Sequence, residues 1–287
     1  MKRSECLSLL MLLALLAIPA WAQVERPQLT WVLGAGGALR PVYGVPGGAA
    51  LGGPSANGVL SIACSADRCV VKTGAALHLA RVIDPAPAEL EMKRGWVKGD
   101  APKGDQLRRR QASSQAVLVP EGPALLALAE TDVYIFFTWQ RQFARWREGV
   151  LEYLNLAVEG DVLSLRAAGD GFDYAVAHED STWIEHYSAR DESVVALASL
   201  GPTGAVLLME GGGALVASAE DVRWMRPYSG GEPLDDIVFT IPGAGQFTAA
   251  PGGYVQVSAT SGDWLLSAGG AYLLPPPPAP ADPEAAQ

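Results

Sequence analysis

Three stretches decide the fold: Val162–Trp183, VLSLRAAGDGFDYAVAHEDSTW; Val206–Trp224, VLLMEGGGALVASAEDVRW; and Phe247–Trp264, FTAAPGGYVQVSATSGDW. Each begins with an apolar run, turns at small residues and continues in a second apolar run. Each then turns again at acidic or small residues and enters a third run carrying Trp. The tryptophans, Trp183, Trp224 and Trp264, are spaced 41 and 40 residues apart. An earlier copy from Val117, VLVPEGPALLALAETDVYIFFTW, places Trp139 another 44 residues upstream, and VLSIACSADRCVVKTGAALHL from Val59 is a further copy without Trp. The runs are short, rich in Val, Leu, Tyr and Phe, and partly alternating, as strands packed on both faces are. Gly-rich corners such as 211–213 and 252–253 suit hairpin turns. Four short strands per unit of about 40 residues is the signature of a β-propeller blade. The reading is an all-β chain forming a single propeller of about six four-stranded blades, with five or seven as the neighbouring counts. An array of β-sandwiches is the rival. The recurring tryptophans, Trp139, Trp183, Trp224 and Trp264, are expected to wedge one blade against the next.

Outward from the repeats, Trp31–Pro41 (WVLGAGGALRP) matches Trp264–Pro275 (WLLSAGGAYLLP). The first strands thus read as the back half of a blade. Pairing such strands with the last blade would close the ring and remove exposed edges. Two regions break the period. Residues 84–114 form a Pro-, Lys- and Arg-rich insertion with weak strand signals around Leu90 to Val97. Residues 139–154 place Trp139, Phe143, Trp146, Val150 and Leu154 at helix-like spacing, against Gly149, so a helical insert and an irregular outer strand both stand. The propeller is assigned to 23–274, and 275–287, rich in Pro and Ala, reads as a disordered tail.

Residues 1–22 read as a signal peptide: Lys2 and Arg3, the apolar run Leu9–Ile18, then the small-x-small pattern Ala20-Trp21-Ala22. That run is too short to span a bilayer as a helix. No later stretch is apolar enough, so the chain is not transmembrane after cleavage. The expected location is periplasmic or extracellular. Cleavage takes two positive charges and one negative from a chain of net charge −10, leaving −11. An acidic protein repels phosphate backbones, which argues against nucleic-acid binding. Cys64 and Cys69 are the cysteines left after cleavage. They flank Ser-Ala-Asp-Arg between two β-rich runs, and a disulfide clipping that hairpin is expected in an oxidising compartment.

The opening Ala38–Ala50 (ALRPVYGVPGGAA), read with the blade phrases after it, resembles uncharacterised exported bacterial β-propeller proteins, in which Leu-Arg-Pro-x-x-Gly-x-Pro-Gly precedes the blades. The resemblance implies a propeller and export, and carries over no catalytic residue.

Chemistry-bearing patterns are few. Gly34-Ala-Gly36-Gly37 after an apolar strand suggests a dinucleotide turn, but Leu39 and Pro41 oppose the helix such a site requires, and a hairpin turn is the better reading. No Gly-x-Ser-x-Gly elbow, Walker A loop or His-Glu-x-x-His is present. Across the second hairpin of the Val162 copy, Asp173 and His186 fall roughly opposite each other. Carboxylate beside imidazole can bind a metal or move a proton, and an ordinary polar turn at a blade's outer edge is the preferred alternative. Asp180-Ser-Thr-Trp183 has part of the Asp-box turn, a structural feature of sialidase-like propellers. The most unusual local feature is basic: Lys93, Arg94, Trp96, Lys98, Lys103, Arg108, Arg109 and Arg110, with only Asp100 and Asp105 between them. In so acidic a chain this segment either docks an acidic partner or membrane surface, or is a solvated insertion.

The function expected is a non-enzymatic binding or scaffold module of the cell envelope. Its candidate binding residues are Lys93, Arg94, Trp96, Lys98, Arg108, Arg109 and Arg110. It is read as a monomer without metal or other cofactor, meeting an envelope protein or a glycan. The alternatives are a carbohydrate-binding propeller using Trp96, and a hydrolase or lyase with acidic residues at the channel mouth.

Overall fold

The computed structural model describes residues 28–45, 47–65, 68–81, 116–225 and 237–277. They form six antiparallel sheets. The first holds β1 (Gln28–Gly34), β2 (Ala38–Tyr43) and β3 (Ala50–Leu51). The second holds β4 (Ser61–Cys64), β5 (Arg68–Thr73), β6 (Ala76–Arg81) and β7 (Ala116–Leu118). The third holds β8 (Ala124–Leu128), β9 (Asp132–Phe137), β10 (Gln142–Arg147) and β11 (Val150–Tyr153). The fourth holds β12 (Asp161–Ala168), β13 (Gly171–Ala177), β14 (Thr182–Ser188) and β15 (Ser193–Gly201). The fifth holds β16 (Ala205–Leu208), β17 (Ala214–Ala217), β18 (Val222–Met225) and β19 (Ile237–Phe239). The sixth holds β20 (Ala244–Ala250), β21 (Tyr254–Ala259), β22 (Gly262–Ser267) and β23 (Gly270–Leu273). The molecule is a six-bladed β-propeller, as the repeats predict.

Closure of the ring is visible in the core, which is divided into six clusters, one in each gap between neighbouring blades. Blades 1 and 2 meet through Trp31, Leu39 and Val71, and blades 6 and 1 through Val32, Val42, Leu265 and Leu274. The gap between blades 3 and 4 is aromatic: Phe143 stacks on Phe172 at 5.1 Å, and Tyr134 and Tyr187 also lie near Phe172 at 5.0 and 5.1 Å. Strands buried on both faces produce this pattern, because each sheet has a neighbour on either side. All six residues of β9 are buried. Burial of this kind, at about 25 cal/mol per Å² of apolar surface, is the main term holding the blades together.

We call upper the face at which the first strand of each of blades 2 to 6 turns into the second. The ring is closed by the N-terminal strands through face packing rather than pairing into the last blade, which has four strands of its own. The likeness of Trp31–Pro41 to Trp264–Pro275 does not carry over to position. β22 leaves the lower-face turn at 260–261 and rises. β1 starts beside the upper-face turn of blade 6, where the Thr30 hydroxyl donates to the Pro251 carbonyl at 2.9 Å, and descends. Its following turn, Ala35–Gly37, is a short 3₁₀ turn, in keeping with the hairpin reading, and accepts from Val59 N–H just ahead of β4. Similar Gly-rich hairpin phrases fix a local turn and leave the place in the ring open.

Two further readings change. The phrase from Val117 is out of phase, since Ala116–Leu118 is the outer strand of blade 2 and blade 3 begins at Ala124. Residues 139–154 are not helical: β10 and β11 form a hairpin whose turn puts Glu148 and Gly149 at φ 49° and 84°. Positive φ at two successive positions is the geometry of a type I′ turn, which Gly149 adopts without steric cost. Phe143 and Trp146 are buried because both turn into the blade faces, not because they share a helical side. The leader, the insertion 84–114 and the tail from 278 lie outside the described residues.

Candidate functional site

The innermost strands β4, β8, β12, β16 and β20 meet in turn and wall a central channel holding a cavity of about 880 Å³. The first blade has three strands among the described residues and reaches the channel wall through Leu33. The wall is mostly aliphatic, with Ile62, Leu126, Leu163 and Leu207 in it. Arg166 and Glu210 bring charge to it from β12 and from the residues following β16. Ser164 on β12 accepts from Leu208 N–H at 2.9 Å, and Ser61 on β4 accepts from Ala124 N–H at 3.1 Å. These hydroxyls bond one inner strand to the next.

The strongest cluster of chemical groups is on blade 4, and it contains the Asp173–His186 pair expected from sequence. The two residues are register partners on β13 and β14. Nδ1 of His186 lies 2.7 Å from Oδ1 of Asp173. Arg166, one strand inward, donates to Oδ2 of the same carboxylate from Nε at 2.9 Å and Nη2 at 2.6 Å. Its remaining nitrogen crosses to blade 5 and donates to the Met209 and Gly213 carbonyls at 3.0 and 3.1 Å. Asp173 is 3% exposed, so the expected surface turn is instead a buried ion pair. On the solvent side, Asp170 approaches His186 Nε2 at 3.7 Å and accepts from the Ser188 hydroxyl at 2.9 Å. That hydrogen bond holds the Asp170 carboxyl below the usual carboxylate range.

The Arg166 bridge belongs to a series. Arg68 donates to the carbonyls of Ala129 and Glu130 in the upper turn of blade 3, and Tyr134 donates to Asp170 O in the upper turn of blade 4 at 3.5 Å. A side chain of one blade thus caps the first turn of the next. Sequence reading missed this device, because Arg68, Tyr134 and Arg166 share no residue type or motif. Elsewhere, Tyr174 is pushed well above the ordinary tyrosine range by burial and by its hydrogen bond to Glu185. The Arg147 guanidinium holds Asp132 below the carboxylate range. No group of three or more His, Cys, Asp and Glu suited to a metal ion occurs among the described residues. None of their helices is long and apolar enough to cross a membrane.

Of the residues singled out from sequence, Cys64 and Cys69 form a disulfide with Cα atoms 4.0 Å apart, at the upper end of the β4–β5 hairpin. Trp224 and Trp264 pack in the gap between blades 5 and 6. Trp183 is 38% exposed, and Trp139 lies in the β9–β10 turn, 69% exposed, so neither is a buried wedge. Trp31 and Trp146 are the tryptophans buried between blades 1 and 2 and between blades 2 and 3. Lys93, Arg94, Trp96, Lys98, Arg108, Arg109 and Arg110 lie outside the described residues. The chain leaves blade 2 at Arg81, the register partner of Arg68 at the upper end of β5, and re-enters at Ala116.

No protein-family model matches the chain, and no curated protein sequence matches it. Solved structures similar to it share 10–14% of residues with it. BBS1N, solved in complex with ARL6DN, is 14% identical with a TM-score of 0.44, over 88% of this chain and 93% of that one. PorZ, an essential bacterial surface component of the type-IX secretion system of Porphyromonas gingivalis, is 13% identical with a TM-score of 0.43, over 90% of this chain and 39% of that one. The N-terminal domain of Nup159 is 10% identical with a TM-score of 0.39, over 76% and 61%.

Proposed function

We propose that the chain is an exported binding and scaffold module of the cell envelope, and that it meets a partner protein on its upper face through segment 84–114. The observation that carries this reading is where that segment departs. The chain leaves β6 at its upper end, on the rim that also bears the disulfide-clipped hairpin and the capped blade turns. A rigid ring from one rim of which the chain departs into a long segment is an arrangement by which loops carry recognition. The basic residues of the segment, Lys93, Arg94, Lys98, Arg108, Arg109 and Arg110, fit an acidic partner surface, with Trp96 as an apolar anchor. Two things support a non-enzymatic role. Arg166, Asp173 and His186 are occupied with one another and with blade 5, and the channel serines bond neighbouring strands. Export rests on the leader 1–22, with which the disulfide is compatible.

The test is a pull-down from envelope extract with tagged mature protein, beside a version lacking residues 86–112. A stoichiometric protein recovered by the intact form alone is the expected result. Equal recovery by both forms, or none by either, removes the insertion as the docking element.

A further inference from the structure

The β9–β10 turn on the lower face of blade 3 carries the most exposed tryptophan of the described residues. Trp139 is 69% exposed, an unusual state for so large an apolar side chain. It is held in place from beneath. A Cβ added to Gly122 would fall 2.6 Å from two atoms of the indole six-membered ring and 3.0 Å from a third, so the ring lies directly over the Gly122 backbone. Gly122 itself stands at φ +96°, where side chains are strained, so both its conformation and the ring above it require glycine. The turn is fixed to the same segment by Thr138, whose backbone N–H and hydroxyl donate to the Pro123 carbonyl at 3.4 and 3.0 Å. One indole face is thus seated on backbone and the other is open to water. Tyr153, at the lower end of the outer strand β11, is 48% exposed and lies 6.2 Å from Phe137, two residues before Trp139.

The arginines of this blade are paired within it or with its neighbour: Arg141 with Asp161 at 3.1 Å, Arg145 with Glu152 at 2.6 Å, and Arg147 with Asp132. An anionic ligand therefore meets arginines already neutralised by carboxylates. An uncharged, polyhydroxylated ring meets an open indole face, a half-exposed phenol on the outer strand of the same blade, and the exposed carboxylate of Asp161, able to accept its hydroxyls. We propose that Trp139, seated on Gly122, is a stacking platform for a neutral β-linked glycan, with Tyr153 extending it along the rim. The C–H groups on one face of an all-equatorial pyranose form a flat apolar patch of the size of an indole. This site is on the lower face, away from the upper rim where segment 84–114 departs, and it does not depend on that segment.

The test is affinity electrophoresis of the mature protein in native gels containing hydroxyethyl cellulose or glycol chitin. The parent protein is expected to be retarded in at least one. Trp139→Ala should weaken that retardation roughly tenfold, and Trp139→Phe by less, as removal of an aromatic anchor does. Because Trp139 is exposed, the alanine variant should keep the parent's melting temperature, which separates lost binding from lost folding. Deletion of 86–112 should leave retardation unchanged. A parent that migrates unretarded in both gels overturns the proposal, as does an alanine variant retarded equally. Retention of an envelope protein that depends on Trp139, with both gels flat, reassigns the ring to a protein contact and likewise overturns it.

Discussion

Asp173 accepts from Arg166 and faces His186 while almost fully buried, and Arg166 carries the connection on to the blade 5 turn. A buried carboxylate with two basic partners is costly to remove, because the partners stay behind desolvated. Asp173→Ala is expected to destabilise the protein by about 3–5 kcal/mol, read from urea unfolding monitored by tryptophan fluorescence. A loss under about 1 kcal/mol would mean that solvent reaches the network and that it does not fasten blade 4 to blade 5. The pairing of Asp173 with His186 was legible from the sequence, since it needs only a hairpin with its turn at Glu179 and Asp180. The third member, Arg166, was not. It sits on a different strand, and its role depends on the carbonyls of a turn more than forty residues away.

Among the elements, β15 is the longest strand and an edge, with Val194, Val195 and Leu197 exposed. Such an edge invites pairing with another chain. Its register against β14 shifts twice, leaving Leu197 and Leu200 outside the ladder. Bulges of this kind bend and twist an edge away from flat pairing. The β4–β5 hairpin is guarded differently, by the Cys64–Cys69 crosslink between register partners. So short a loop gives a modest stabilisation, about 2 kcal/mol in the chain-entropy account. Replacing both cysteines by serine should lower unfolding stability by about that amount, and reductant should add the mass of two hydrogen atoms to the parent in mass spectrometry. No mass difference would remove the bridge and, with it, one support for an oxidising compartment.

The whole ring depends on the first blade, whose innermost strand β1 pairs with β2 and has no strand on its other side among the described residues. Gln256, 3% exposed on β21, takes the place of one. Its amide donates to Leu33 O at 2.9 Å and accepts from Leu33 N–H at 2.8 Å, satisfying the two groups that point away from β2. Gln256→Ala would take the partner from both half-buried Leu33 groups, at about 1 kcal/mol each. The expected outcome is lower stability and early proteolytic cleavage within residues 28–59, ahead of global unfolding. Cleavage spread evenly over the ring would mean that the six apolar gaps alone keep the first blade in place.

The sequence by itself determined the all-β repeating unit, a blade count near six, and hairpin turns including the one that sets Cys64 opposite Cys69. All of these depend on neighbours within about forty residues, where alternation of apolar and turn residues suffices. Only the tertiary structure decided which tryptophans are wedges and which are exposed. A tryptophan at the start of a third strand packs or protrudes according to the adjacent blade, so Trp224 and Trp264 are covered while Trp183 is not. The seating of Trp139 over Gly122, the capture of Leu33 by Gln256 and the reach of Arg166 into blade 5 are likewise contacts between blades or across separate turns. Such contacts are set by how sheets stack around a closed ring, and no local pattern of residues encodes them.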